Sequence, residues 1–223
     1  MINNTQQLFS LIEKNISALH PPFIIGISGT YTSGKTLFSA GLARYLQSQG
    51  KKVQIIHYDD FHHPFPAIQW TDGRDDEINA FYNKAFDSGK LINEVLIPLE
   101  EKGVLNKEID CIDLGSGQHT KKIHLDVDVK TIVILEGVLL FRAPILPFLN
   151  YKIFLDISDK EMLRRGTVRD VPKFGHSILD LYRSRYIPVH HRYLEEDSPK
   201  AISDIVLDNT HYDTPVMLSL EIQ

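Results

Sequence analysis

The sequence predicts an α/β fold built on an open, doubly wound and mostly parallel sheet with helices on both faces. Three observations predict it. Short apolar runs without polar–apolar alternation recur along the chain, as expected of strands buried on both faces. Segments with apolar residues at helical spacing lie between these runs, which favours βαβ crossovers. A glycine-rich loop joins the first apolar run to the next helical segment, an arrangement typical of phosphate-binding loops.

The first 57 residues contain two predicted helices and two predicted strands. Apolar residues between Leu8 and Leu19 fall at helical spacing, and the helix they predict ends at Pro21-Pro22. The run 23–27 predicts the first buried strand, and a helix is expected from Lys35 to about Gln49. A second strand is expected at 53–57.

The helix expected from Lys35 carries its apolar residues at helical spacing, so one face is predicted to turn inward onto the sheet. The residues expected to face inward are Leu37, Ala40, Leu42, Ala43 and Leu46. Leu37 directly follows the glycine-rich loop, and no nucleotide contact is assigned to it.

The rest of the chain continues the alternation of helices and strands. The expected elements are a helix at 91–99, an irregular hairpin of 109–112 with 122–125, buried strands at 131–135 and 151–155, helices at 159–170 and 177–194, and a short strand at 205–207. We find no internal repeat, low-complexity tract or linker, so a single domain over 1–223 is expected. In parallel sheets ligands bind at the carboxyl ends of strands, so polar residues directly after each strand are the candidate site residues.

The composition is that of a globular protein with no standing polyanionic partner. Hydrophobic residues make up 43% of the 223 residues and the formal charge is −5, which gives no electrostatic reason to expect nucleic acid or an anionic membrane. The single cysteine, Cys111, excludes an intrachain disulfide and fits a reducing compartment. The first 20 residues lack a secretory signal, and the run 131–141 is too short to cross a bilayer. We therefore expect a cytoplasmic protein, and the sequence leaves a homo-oligomer open.

The segment Gly29-Thr30-Tyr31-Thr32-Ser33-Gly34-Lys35-Thr36 matches the motif G-x-x-x-x-G-K-[ST] in full, between a predicted strand and a predicted helix. Its glycines let the backbone bend around phosphates with N–H groups pointing inward, and the helix amino terminus adds partial positive charge. Lys35 is expected to reach the β and γ phosphates, and the Thr36 hydroxyl a Mg²⁺ position. The motif predicts binding of ATP or GTP. The expected nucleotide-binding residues are Gly29, Thr30, Thr32, Ser33, Gly34, Lys35 and Thr36.

Carboxylates follow two other predicted strands. Asp59 and Asp60 come directly after the second strand, where they can accept a proton from a substrate hydroxyl or contact Mg²⁺; Asp60 as a turn cap is the alternative. Glu136 ends the strand at 131–135, where an acid holds Mg²⁺ directly or through water, and a buried structural glutamate is the alternative. Two acids at two strand ends beside a phosphate loop favour phosphoryl transfer.

Basic residues after the strand at 151–155 give an ambiguous signal on their own. Arg165 and Arg169 share a helical face that can close over phosphates, although a solvated helix explains the spacing equally well. The adjacent pairs His62-His63 and His190-His191 point in different directions along a regular element and have no cysteine beside them, so a zinc site is not expected.

Taken together, these motifs resemble the uridine kinase and phosphoribulokinase family. The resemblance rests on the phosphate loop, Asp59-Asp60-Phe61, Leu135-Glu136-Gly137, Arg165 with Arg169-Asp170, and the final strand motif at 203–206. It covers roughly 23–210 and extends to bacterial uridine-kinase-like proteins through segments around Arg74, Tyr82, 185–188 and 208–210.

The resemblance implies an adenylate-kinase-like P-loop fold with a mobile helical lid, and an ATP- and Mg²⁺-dependent kinase acting on a small hydroxyl compound. It implies a base role for Asp59, phosphate contacts for Lys35, Arg165 and Arg169, and Mg²⁺ binding by Thr36, Glu136 and Asp59. Asn209 is placed near the adenine. The implied acceptor residues are Asp59, Arg74, Tyr82 and Asp110.

Within the single domain, 1–20 is expected to form an amino-terminal helix, 60–128 an insert on the acceptor side, and 159–197 the lid and the helix after it. A nucleoside is the expected acceptor. The alternatives are a kinase of a non-nucleoside small molecule and a P-loop NTPase or nucleotide-binding regulator. The sequence does not separate ATP from GTP by a base-reading motif.

Overall fold

The computed structural model of the chain describes residues 5–64 and 74–220. Its central sheet has the strand order β2-β5-β1-β6-β7-β8, and β3 pairs with β4 in a separate hairpin. All neighbours in the central sheet are parallel except β7 and β8. The strands of the described residues are β1 Phe23–Gly29, β2 Lys52–His57, β3 Leu105–Asp113, β4 Gln118–Val127, β5 Thr131–Gly137, β6 Tyr151–Asp156, β7 Ile205–Asp208 and β8 Val216–Leu220. The predicted doubly wound, mostly parallel sheet is confirmed.

Helices cover both faces of this sheet. In the described residues they are α1 Thr5–Ile16, α2 Lys35–Ser48, α3 Arg74–Lys84, α4 Ser88–Leu91, α5 Ile97–Lys102, α6 Asp159–Arg169, α7 Val171–Phe174, α8 Ile178–Leu181 and α9 Ile187–Glu196. A π-helical turn, Ile92–Leu96, joins α4 to α5, and another, Tyr182–Tyr186, joins α8 to α9. The helices expected at 91–99, 159–170 and 177–194 are thus confirmed, whereas α3 and β8 were not predicted.

Two apolar cores lie on opposite faces of the sheet. One packs α1 and α2 against the sheet and includes the fully buried Leu8, Leu42 and Ile27. The other packs α9 and the helices that follow β2 against the opposite face and includes Leu96 and Phe154. Each fully buried side chain of this size contributes about 1.5–3 kcal/mol relative to an exposed one. Burial on both faces explains why the strands are continuous apolar runs.

One residue of α2 departs from the predicted inward face. Leu42 and Leu46 are fully buried as expected, but the side chain of Leu37 is 63% exposed, so its predicted inward position was wrong. The buried stripe of α2 begins one residue later, at Phe38, and continues at steps of four residues. Because successive helical residues are turned by about 100°, Leu37 points away from that stripe and borders the cleft at the carboxyl ends of the strands.

The β3–β4 hairpin stands outside the central sheet, with Ile109 opposite Ile123 as expected for the predicted pairing. Two contacts attach β4 to the segment after β2. Lys121 Nζ donates to Asp60 Oδ1 at 2.6 Å, and His119 Nε2 lies 3.2 Å from the carbonyl oxygen of His62. The hairpin is therefore held against the carboxyl end of β2.

Across the ranges 5–64 and 74–220, no helix is both long enough and apolar enough to cross a membrane.

Candidate active site

A cleft of about 930 Å³ opens at the carboxyl ends of β1, β2 and β5. The register of the parallel strands explains which side chains meet there. Ser28 of β1 lies opposite Gly137 of β5, and His57 of β2 lies opposite Glu136. The segments that follow these strands therefore open at one edge of the sheet, where Lys35, Asp59 and Glu136 all line the cleft.

The phosphate loop connects β1 to α2, and its conformation requires specific residues. Gly34 has a φ of 95°, and a Cβ there would lie 2.5 Å from the Tyr212 ring. Thr32 also adopts a positive φ, 54°, and its hydroxyl lies 3.2 Å from the carbonyl oxygen of Met162 in α6. Because α2 begins at Lys35, its amino-terminal N–H groups and partial positive charge lie at the cleft.

Lys35 is a buried cation at the base of the loop. Its ammonium group donates to the carbonyl oxygen of Thr30 at 2.9 Å. Burial lowers the pKa of Lys35, and the negative charges of Glu136 and Asp59 partly offset that effect. The site thus concentrates one cation between a backbone oxygen and two carboxylates.

Glu136, at the end of β5, is held by two donors. Its Oε1 accepts from Thr36 Oγ1 at 3.0 Å and lies 2.5 Å from His57 Nδ1. Burial opposes ionisation of Glu136, but the His57 hydrogen bond and the Lys35 charge outweigh it, so the pKa is lowered. The same hydrogen bond raises the pKa of His57.

These residues fit a magnesium ion. The hydroxyl of Thr36 and the carboxylate of Glu136 are oxygen donors of the kind that Mg²⁺ prefers, and their contact places both at one point beside the loop. Sequence reasoning missed His57. The signal that was available is its position as the last residue of β2, next to the acidic pair.

The two adjacent aspartates separate into different environments. Asp59 lies in the 3₁₀ turn Tyr58–Phe61 and lines the cleft, whereas Asp60 is buried and pairs with Lys121. Asp59 keeps exposed surface, but the cleft walls displace bulk water around it, and this desolvation raises its pKa despite the nearby Lys35 charge. A carboxylate with a raised pKa is a better proton acceptor than an ordinary aspartate.

Arg169 lines the cleft at the end of α6 and is paired with the following residue. Its Nε and Nη2 donate to the two carboxylate oxygens of Asp170 at 2.7 and 2.8 Å. The Tyr182 hydroxyl donates to Asp170 at 2.5 Å. Burial opposes ionisation of Asp170, but these donors outweigh it and lower the pKa.

Arg165 takes a different position, although it also borders the cleft. Its side chain is only 5% exposed, and its guanidinium donates to Glu161, to the carbonyl oxygen of Thr32 and to the backbone after β7. The expected contact of Arg165 with phosphate is not supported by this geometry, because its N–H groups are directed at protein oxygens. The structure therefore does not support the predicted place of Arg165 among the catalytic residues.

Aromatic side chains line the part of the cleft around Asp59. Tyr31 of the phosphate loop stacks on Tyr186 with ring centroids 3.9 Å apart, and Phe81 lies 5.8 Å from Tyr186. Arg185 also lines the cleft, and its Nη2 lies 3.1 Å from Glu77 Oε2. This region offers apolar walls and guanidinium donors to a small polar molecule.

Tyr82 lies outside the cleft. Its buried ring is covered by the guanidinium groups of Arg142 at 3.6 Å and Arg192 at 4.1 Å, and its hydroxyl donates to Asp197. These contacts make Tyr82 part of the packing between α3 and α9. Its position does not support the predicted substrate contact.

Two further predicted residues are also displaced from the cleft. Asp110 is exposed on β3, 3.9 Å from Lys122 of the neighbouring strand, because its side chain alternates away from the buried Ile109 and Cys111. Asn209 is buried behind the phosphate loop, where Nδ2 donates to the carbonyl oxygen of Ser33 at 2.6 Å. The side chain of Arg74 lies outside the described residues.

Comparison with known proteins identifies the family of the chain. The family model described as the phosphoribulokinase/uridine kinase family matches residues 24–201. The chain is 27% identical over 191 residues to a uridine kinase of Ligilactobacillus salivarius (strain UCC118), covering 83% of this chain and 84% of that protein.

Solved structures share the fold. A possible uridine kinase from Bacillus stearothermophilus superposes with a TM-score of 0.68 at 22% identity, over 89% of this chain and 96% of that one. Phosphoribulokinase from Rhodobacter spheroides gives a TM-score of 0.57 at 17% identity, over 83% of this chain and 69% of that one. With its phosphate loop and strand-end acids in one cleft, the chain belongs to the phosphoribulokinase/uridine kinase family of small-molecule kinases.

Proposed function

We propose that this chain transfers the γ-phosphoryl group of ATP to a hydroxyl group of a nucleoside-like small molecule. The observation that carries the proposal is the placement of Lys35, Glu136 and Asp59 in one cleft at the end of the parallel sheet. Relatives named uridine kinase support the nucleoside-like acceptor, and kinases of this family use ATP and Mg²⁺. A cytoplasmic location, with Cys111 as a buried free thiol, is part of the same proposal.

In this mechanism the chain binds the triphosphate through the amino terminus of α2 and the ammonium group of Lys35. Thr36 and Glu136 would hold Mg²⁺, which supplies charge neutralisation on the phosphates when bound. His57 fixes the orientation of Glu136 through its hydrogen bond.

Asp59 would align the acceptor and take its proton. The acceptor oxygen attacks the γ-phosphorus, the bond to the β–γ bridging oxygen breaks, ADP leaves, and the hydroxyl proton passes to the Asp59 carboxylate. The side chain of Arg169, at the end of α6, would turn to the phosphates and, together with α7, exclude water, which otherwise hydrolyses ATP.

The walls around Asp59 suit an uncharged, partly aromatic acceptor. Tyr31, Phe81 and Tyr186 offer apolar surface, while Arg185 is compensated by Glu77 and can donate hydrogen bonds without demanding an anionic partner. These residues, with Asp59, are our candidates for acceptor contacts.

The test is ADP release from MgATP with single added acceptors. The panel contains uridine, cytidine and adenosine, with orotidine as an anionic match for uridine, and ribulose 5-phosphate and glycerate as non-nucleosides. We expect ADP release that requires a nucleoside and yields its monophosphate. Release at the same rate without any acceptor would refute the kinase proposal, and stimulation by a non-nucleoside alone would refute the acceptor class.

A further inference from the structure

Two side chains from outside the phosphate loop donate hydrogen bonds to its carbonyl oxygens. Arg165 Nη1 donates to the carbonyl oxygen of Thr32 at 2.9 Å, and Asn209 Nδ2 donates to that of Ser33 at 2.6 Å. The N–H and carbonyl of one planar peptide unit point in opposite directions. Anchoring the Ser33 carbonyl therefore turns the N–H of Gly34, which lines the cleft, away from Asn209.

The Arg165 contact acts on the neighbouring peptide unit in the same way. With the Thr32 carbonyl held by Arg165, the N–H of Ser33 points back across the loop, where it donates to the carbonyl oxygen of Thr30 at 3.2 Å. Thr32 sits in the left-handed region with a φ of 54°, a backbone conformation that a β-branched residue rarely adopts. Such a conformation persists only where the surroundings hold it.

Arg165 also joins the loop to two other parts of the fold. Its Nη2 donates to the carbonyl oxygens of Asn209 at 2.6 Å and Thr210 at 3.1 Å, and its Nε donates to Glu161 at 2.7 Å. The guanidinium carbon lies 3.7 Å from the centre of the Tyr212 ring. The planar guanidinium group of Arg165 thus connects helix α6, the phosphate loop and the segment after β7.

We propose that Arg165 and Asn209 are positioning residues that hold the phosphate loop in its anion-binding conformation without touching the nucleotide. This inference rests on the nucleotide site of the proposed function. It separates the two arginines of α6: Arg169 is exposed at the cleft and can meet a phosphate, whereas Arg165 is buried among backbone oxygens. A phosphate loop that already has its binding conformation binds the nucleotide without the entropic cost of ordering the loop.

The test compares Mg-ATP and Mg-ADP affinities, measured by isothermal titration calorimetry, for the wild type, Arg165→Met, Arg165→Lys, Asn209→Ala and Arg183→Met. Arg183 is the matched control, because it also donates to a carboxylate, that of Asp180, but is 59% exposed and lies outside the lining of the cleft. Thermal melting establishes that each variant is folded. Arg165→Lys keeps the positive charge, but an ammonium group cannot donate at the same time to the loop carbonyl and to the carbonyls after β7, as the planar guanidinium does.

We expect Arg165→Met, Arg165→Lys and Asn209→Ala each to weaken the binding of ATP and ADP by the same factor, about 10- to 100-fold for the Arg165 variants, while Arg183→Met stays within about threefold. A loss for ATP at least tenfold greater than for ADP in Arg165→Met would show a direct γ-phosphate contact and overturn the inference. Wild-type affinity in Arg165→Lys would overturn it too, since charge alone would then suffice.

Three outcomes keep the test of the positioning role separate from folding and from the proposed function. If Arg165→Met does not fold, Asn209→Ala decides, because it removes the Ser33 contact alone; unchanged affinities there refute the proposal. If the wild type binds neither nucleotide, the proposed function fails. If the wild type binds both and the variants match it, only the positioning role fails.

Discussion

Replacement of Asp59 by asparagine tests the proposed proton acceptor most directly. The amide is nearly isosteric with the carboxylate but cannot take the proton, so kcat is expected to fall by about 10²- to 10⁴-fold, the range for a general base. At 1.36 kcal/mol per tenfold change, this is about 3–5 kcal/mol of transition-state stabilisation. Since Asp59 lies within electrostatic reach of Lys35, removing its charge also reduces repulsion of the triphosphate. The Kd of MgATP should therefore be unchanged or lower.

The neighbouring Asp60→Asn variant is the matched control. Asp60 belongs to the same turn, but its carboxylate accepts from Lys121, and an asparagine oxygen can keep that hydrogen bond. We expect less than about a tenfold loss of kcat, well short of the range for a lost base. Steady-state ADP release with the acceptor found in the screen, together with calorimetric MgATP affinities, measures both variants.

The wild-type pH profile provides a second measurement of the same group. Asp59 must be ionised to accept a proton, so kcat/KM falls as the pH drops through its pKa. Because desolvation raises that pKa, the acidic limb should lie above 3.8, the ordinary value for aspartate. Full activity of Asp59→Asn, whether or not Asp60→Asn loses activity, would refute the assignment of Asp59 as the proton acceptor.

Three further predictions concern the surroundings of the site. Lys121→Met should lower kcat about three- to tenfold by loosening the turn that carries the base, whereas Lys122→Met, whose side chain is 63% exposed, should not; steady-state kinetics distinguishes them. Tyr82→Ala should reduce the free energy of unfolding by about 3–5 kcal/mol in urea titrations while folded protein keeps its KM for ATP, and an altered KM would return Tyr82 to the site. Gly34→Ala should weaken MgATP binding at least tenfold in calorimetry, since its Cβ would collide with Tyr212 and its φ is 95°.

The sheet was predictable because its central strands are buried on both faces. β1 and β5 are buried along their whole length, and the apolar runs that form most of each strand are visible in the sequence. The edge strand β8 lacks it: Val216 and Leu218 are exposed, and burial along the strand does not alternate regularly. α3 was missed for a similar reason, since its mean hydropathy is low and only part of one face is apolar.

The strand-end acids were predictable because parallel strands end at a common edge. Asp59 and Glu136 are identifiable on that ground alone. The role of His57 was not identifiable on that ground, because its contact with Glu136 depends on the pairing register of β2 with β5. The sequence also could not reveal the positions of Arg165 and Asn209, whose partners are mostly backbone carbonyl oxygens and carry no residue-specific signal.

The ion pair between Arg169 and Asp170 bears on how fast the proposed enzyme can turn over. Arg169 already has a carboxylate partner, so when it binds a phosphate instead, its net gain in free energy is only the difference between the two interactions. In the proposed mechanism, closure of Arg169 over the triphosphate is then an exchange of partners with a small net free energy. The diphosphate product has one phosphoryl group fewer to compete for Arg169, so Asp170 should recapture the arginine and help the cleft to reopen.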